Sequence, residues 1–256
     1  MKNRNSNRNR NSVIRKRDKV IAILVPVIML IAGCGDNIEV PPGDGSINET
    51  EYVSVRNEPQ HRHRFENEWV RMYDVLLPPK HVTLYHAHIQ DTIYVTIHGS
   101  RLKSKSLVGF SMPIALPIPS GMVHLTEHKK APSVHQVTNS GDGVARLVGV
   151  ELKKEATEFV RKPVVGHGLK LKDTYAKVRV YELNLAPGES TGRIESGFTG
   201  LIISLTKASV SSESESMAPT IESFEPASWE WFDEASQMGF RNVGSSRFEA
   251  VLYELP

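Results

Sequence analysis

The stretch that decides the fold is Tyr85-His86-Ala87-His88-Ile89-Gln90-Asp91-Thr92-Ile93-Tyr94-Val95-Thr96-Ile97-His98-Gly99. Side chains alternate along a strand, so His86 and His88 project from the same face. A β-rich run follows from Ile93 to Ile97. Forty-seven residues after His88 comes His135, and after three spacers Asn139. Two close histidines, a strand, and a third histidine on a distant strand form a donor set suited to a divalent metal.

This arrangement resembles the cupin superfamily. Its first motif is roughly His-x-His, three or four spacers, Glu, six spacers, Gly; its second ends in His-x-x-x-Asn. His86, His88 and Gly99 match the first, and His135 and Asn139 the second. Thr92 stands where the Glu belongs. Asp91 is the substitute, since a His-x-His-x-x-Asp variant also occurs among cupins, and Gln90 is a weaker one. With neither, the site is a three-histidine site of the kind some cupin dioxygenases use. The resemblance therefore implies His86, His88 and His135 as metal ligands, Asp91 as the fourth, and Asn139 as a residue that fixes a turn or supports the site. Tyr94 and His98 are candidates for proton transfer.

His-x-His by itself is weak in a chain with 10 His among 256 residues. His61-Arg62-His63 has the same spacing without the context and reads as a solvated pair. His81, His98, His124 and His128 read as surface or pocket-wall residues. His124 follows Pro119-Ser120-Gly121, near where cupins keep a Pro-x-Gly turn, and is expected at the pocket mouth.

The chain repeats itself. Val70 to Pro79 reads against Val178 to Pro187 at an offset of 108, which also carries Thr83 onto Thr191. Asn139-Ser140-Gly141 and Glu151-Leu152 read against Asn242-Val243-Gly244 and Glu254-Leu255 at an offset of 103. The expected fold is all-β: two tandem cupin barrels (double-stranded β-helix, jelly-roll), at 57–155 and 173–256, joined by a connector at 156–172. In the second copy Ile194, Ser196, Thr199 and Met238 stand for His86, His88, Asp91 and His135. Ile and Met cannot replace imidazole on such a cation, so one metal per chain is expected, held by the first barrel. Trp229 and Trp231 share a strand face and read as core of the second barrel.

The front end speaks to location. Residues 1–19 carry eight Lys or Arg and one Asp, followed by an apolar run of 14 from Val20 to Gly33. That run is short for a membrane span and fits a secretory leader. It ends in Leu30-Ile31-Ala32-Gly33-Cys34, which resembles a bacterial lipobox. Residues 1–33 then read as a lipoprotein signal peptide, Cys34 as the lipidated residue, and 34–56 as a flexible tether rich in Pro, Gly and Asp. Cys34 is the only cysteine, so it forms no internal disulfide. Removing residues 1–33 takes the chain from 31 basic and 29 acidic residues to 23 and 28, a net of −5. That balance gives no basic patch for nucleic acid.

Glu151 to Val160 is the best helix candidate, and Ser209 to Pro219 reads as a mobile loop. The functional expectation is a membrane-anchored, metal-dependent enzyme of dioxygenase, isomerase or lyase type, acting on a small polar substrate outside the cytoplasm. The rival is a non-catalytic envelope module that binds a metal, small ligand or protein partner. The leader lacks an Arg-Arg pair, so the chain is expected to cross unfolded and load its metal afterwards. Affinity then favours zinc, while the resemblance implies iron or manganese.

Overall fold

The computed structural model describes residues 52–155, 158–194, 198–212, 220–233 and 239–256. Cys34, Ser196, Met238 and the leader lie outside the described residues. Eighteen strands and a single 3-10 turn, Val55–Asn57, make up the regular structure of the described residues. Among them no helix is long and apolar enough to cross a membrane.

The first barrel contains β1 (Val53–Ser54), β2 (His61–Glu66), β3 (Val70–Leu77), β4 (His86–His88), β5 (Thr92–His98), β6 (Ser100–Val108), β7 (Met112–Ile118), β8 (Val123–Thr126), β9 (Ser133–Asn139) and β10 (Ala145–Leu152). They form two five-stranded sheets, β1-β4-β9-β6-β7 and β2-β3-β10-β5-β8. The second barrel contains β11 (Leu169–Thr174), β12 (Arg179–Leu185), β13 (Thr199–Ser204), β14 (Ala208–Ser212), β15 (Ile221–Phe224), β16 (Trp229–Phe232), β17 (Phe240–Asn242) and β18 (Phe248–Leu255). Its sheets run β11-β12-β18-β13-β16 and β15-β14-β17. The five-stranded orders of β2-β3-β10-β5-β8 and β11-β12-β18-β13-β16 correspond strand for strand.

Residues shared by the two copies do the same work in each. Asn139 donates to the carbonyls of Leu77 at 2.9 Å and Gly143 at 2.8 Å, and accepts from the Gly141 amide at 3.0 Å. Asn242 donates to Leu185 at 3.0 Å and Ser246 at 2.8 Å, and accepts from Gly244 at 3.0 Å. Thr83 accepts the Val137 amide, and Thr191 the Phe240 amide. A buried Arg71–Glu151 pair at 3.2 Å is matched by Arg179–Glu254 at 2.8 Å. The repeat is thus a repeat of structure, carried by polar groups that satisfy buried backbone.

Alternation along the strands explains how the barrels meet. On β3, Val70 and Met72 face outward while Tyr73, Val75 and Leu77 face the barrel interior. The outward set, with Ile93, Val95, Ile97, Val148 and Val150, packs against Val178, Val180, Leu201, Ile203, Val251 and Tyr253 of the second barrel. Two sheets with both faces apolar are pressed together, which buries the strands on both sides. Trp229 and Trp231 belong to this seam, with Phe65 of the first barrel 4.7 Å and 5.6 Å away between ring centroids. They join the barrels rather than fill the second one.

Four boundaries differ from the sequence reading. Glu151–Leu152 ends strand β10, and the described residues from 153 to 160 contain no helix. Glu151 is held in the ladder opposite Arg71, which overrides a short helical preference. Ser209 to Ser212 belong to β14, with Val210 buried, because β14 bridges β15 and β17; residues 213–219 of the expected loop lie outside the described residues. Finally, Val53–Ser54 pair with His86–Ala87 and Val55 enters the core, so the barrel begins inside the expected tether. Likewise β11 starts at Leu169, inside the expected connector.

Candidate metal centre

Strand β4 is three residues long and pinned between β1 and β9, with His86 opposite His135 in register. His86 and His88 are both buried, pointing inward as their spacing predicts. The ring centroids of His86, His88 and His135 lie 4.7 Å, 4.9 Å and 5.0 Å apart. The structure therefore brings together the three histidines that the motifs paired.

A fourth histidine joins them. His61, at the start of β2, is buried with its ring 4.6 Å from that of His86 and 5.8 Å from that of His88. His61, His86 and His88 offer ligand nitrogens that all lie within 4.8 Å of one another. Sequence reasoning placed His61 on the surface with His63. Only His63 is exposed. The anchor of His61 is Glu58, three residues before it. Its carboxylate is buried and takes the His61 Nδ1 contact at 2.7 Å and the Gln60 amide at 2.7 Å. Burial alone would raise the Glu58 pKa, but the His61 contact and the amide hold it below the ordinary carboxylate value.

Asp91 does not join this group. One carboxylate oxygen accepts the Lys129 amide at 2.8 Å and the other meets Lys177 of the second barrel at 2.7 Å. The reason is parity: Thr92 and Tyr94 face the first barrel's interior, and Asp91, one residue off, faces the seam. Gln90 Oε1 is buried without a hydrogen-bond partner. Thr92, at the position of the missing Glu, is fully buried and donates to the Gln90 carbonyl at 2.8 Å.

Each histidine is oriented through Nδ1. His86 Nδ1 donates to the Leu84 carbonyl at 2.8 Å, which leaves Nε2 with a free lone pair. His61 is tied to Glu58, His88 lies 3.4 Å from the Tyr94 hydroxyl and His135 3.3 Å from the Ser104 hydroxyl, all through Nδ1. The Nε2 atoms of His86 and His88 are buried and have no protein partner. Leaving a buried polar atom unsatisfied costs about 1–3 kcal/mol, and a cation shared by these nitrogens would relieve that. Nδ1 tethering with Nε2 presented is the pattern of metal-ligating histidines.

Burial also keeps the rings neutral, as ligands must be. Burial, with neighbouring His61, lowers the His86 pKa to about 4. Burial and His86 lower His135 to about 3. Burial lowers His88 well below its ordinary value, with His135 adding to the effect. Around them stand His128, stacked on His88 at 4.8 Å, and His124, stacked on Tyr94 at 5.1 Å. His98 is exposed at the end of β5.

The residues present fit a divalent transition metal bound by imidazole. Three or four imidazole nitrogens with no thiolate and no carboxylate suit zinc or iron better than manganese.

No family model and no curated protein matches the chain by sequence. Solved structures do match. AerE from Microcystis aeruginosa aligns at 8% identity and a TM-score of 0.52 over 78% of this chain and 98% of its own. A salicylate 1,2-dioxygenase from Pseudaminobacter salicylatoxidans aligns at 8% identity and a TM-score of 0.50 over 76% and 75%. A cupin 2 conserved barrel domain protein from Leptotrichia buccalis aligns at 10% identity and a TM-score of 0.47 over 76% and 87%. With the sheet topology, the likeness to the first two shows the fold, tandem jelly-roll barrels of the kind the cupin resemblance implies. The barrel occurs twice in the chain, and the histidine cluster occupies the first copy.

Proposed function

We propose that the first barrel binds one divalent transition metal through Nε2 of His86 and His88, with His135 and His61 completing the donor set. In this reading the protein is a lipid-anchored envelope enzyme acting on a small polar substrate. The observation that carries the metal is the pair of buried, unpartnered Nε2 atoms whose rings are fixed from the other side. The cation would supply Lewis-acid or redox chemistry at positions the protein leaves open. The chain's own residues do the orienting: Glu58 holds His61, the Leu84 carbonyl holds His86, and Ser104 holds His135. Three of the imidazoles would hold the cation and leave it a position for a substrate atom.

Zinc is favoured on affinity for a chain that loads its metal after export, with iron and manganese the alternatives. Elemental analysis of the mature protein from the native envelope tests this. Wild type should carry one metal per chain, and a His86→Ala/His135→Ala variant none. Equal content in both, or none in wild type from metal-replete cells, would reduce the barrel to a scaffold. His61→Ala should lower occupancy without abolishing it.

The envelope location rests on the leader and on Ile31-Ala32-Gly33-Cys34. Cys34→Ala should abolish incorporation of labelled palmitate and membrane partitioning. Wild-type protein found soluble with residues 1–33 intact would overturn this part alone.

A further inference from the structure

A single row of residues crosses the interior of the sheet that faces the histidines. In register, Tyr73 lies opposite Gly149, Gly149 opposite Tyr94, and Tyr94 opposite His124. The equivalent row of the second barrel is Tyr181, Leu252, Ile202 and Glu230. The tyrosine of β3 and β12 is shared, but its surroundings are exchanged.

Gly149 is what lets Tyr73 differ from Tyr181. A Cβ on Gly149 would lie 2.5 Å from Tyr73 Cε2, 2.6 Å from Cζ and 2.9 Å from the hydroxyl oxygen. Real Cβ atoms do not approach so closely, so the Tyr73 ring occupies the space that any other residue would fill. Lying there, its hydroxyl meets that of Tyr94 at 3.1 Å. Tyr94 in turn reaches His88 Nδ1 at 3.4 Å. In the second barrel Leu252 fills the gap, the Tyr181 hydroxyl donates to Glu254, and Ile202 takes the place of Tyr94. The second barrel keeps the tyrosine and lacks the connection.

We propose that Gly149, Tyr73 and Tyr94 form a hydroxyl relay that positions His88 for metal binding, which rests on the metal reading above. A His88 bound through Nε2 carries its proton on Nδ1 and must donate it. The Tyr94 oxygen is the acceptor within reach, and the Tyr73 hydroxyl holds that oxygen in place. Tyr94 is a positioning residue: it acts through His88 rather than on the metal.

The test is a cobalt(II) titration of the full-length protein purified in detergent, followed by the visible spectrum of the bound ion. Tyr94→Phe should weaken cobalt binding about 10- to 100-fold and change the spectrum, while the metal-free melting temperature changes little. Gly149→Ala should weaken binding in the same direction by displacing Tyr73, and Tyr73→Phe by less. Tyr181→Phe, in the second barrel, should leave affinity and spectrum unchanged. If wild type binds cobalt and Tyr94→Phe binds it with the same affinity and spectrum, the relay is overturned while the metal site stands. If wild type binds no cobalt, the metal reading fails and the relay fails with it.

Discussion

The two barrels share a scaffold and differ in what fills them. The first has His61, His86, His88, His135, Tyr73 and Tyr94 around its centre. The second has Leu183, Leu185, Ile194, Phe198, Ile202, Val210, Phe232, Phe240, Phe248 and Leu252, an apolar interior that closes on itself. Ile194 stands at the His86 position and is fully buried among them. What both retain is the buried polar set that satisfies backbone: Asn139 with Asn242, Thr83 with Thr191, Arg71–Glu151 with Arg179–Glu254. Those groups hold turns and ladders that any filling requires. The histidines serve no such need, so apolar side chains can replace them without loss of the fold.

The comparison breaks first, and most strongly, at the shared asparagines. Asn139→Ala and Asn242→Ala should each lose about 2–4 kcal/mol by stranding two carbonyls and one amide. Denaturant unfolding of the two variants should give losses of similar size. A large loss at one and none at the other would mean the copies do not share a scaffold.

Acid should separate the barrels. The folded pKa of His86, about 4, and of His135, about 3, lie below the unfolded value near 6.5. Between these values the unfolded chain binds more protons than the folded one. Stability of the metal-free protein therefore falls as pH drops from about 6.5 toward 3, and levels off below that. Hydrogen exchange at decreasing pH should show protection lost in β4 and β9 before β12 and β18. Uniform loss across both barrels would remove the electrostatic distinction between them.

The smallest expected effect sits in the second barrel. Glu230 occupies the position of His124 and is half-buried, and burial, with Glu222 adding to it, raises its pKa to about 7. A raised carboxyl pKa destabilises the fold as pH rises from about 4.5 through 7, since the folded state then holds the proton that the unfolded state releases. Glu230→Gln should therefore melt close to wild type at pH 4 and slightly higher at pH 8. The gain is expected below about 2 kcal/mol, because the side chain keeps some contact with solvent. An equal difference at both pH values would assign the effect to packing instead.

Much of this was legible without a structure. The spacing of His86 and His88 placed both on one face, and His135 with Asn139 marked the strand that pairs with them. The offsets of 108 and 103 located the second barrel and showed that its histidines are gone. His61 and Glu58 were not legible as site residues, because nothing local tells a buried strand start from a solvated one. Asp91 was misplaced for a related reason: whether a residue at a strand's beginning faces the barrel or the seam depends on the first paired residue, Thr92.

By itself, then, the sequence determined the all-β class, the duplication and the three motif histidines, because these rest on periodicity and spacing along the chain. It also showed that Ile194, Ser196 and Met238 stand in the second copy where the motif histidines stand in the first. The tertiary structure decided the rest. It brought His61 to His86 across more than twenty residues and turned Asp91 to Lys177. It set the Tyr73 ring into the gap at Gly149, and it pressed the two sheets together through Trp229 and Trp231. Each of these depends on which face of one strand meets which face of another, a relation between distant segments that no local pattern records.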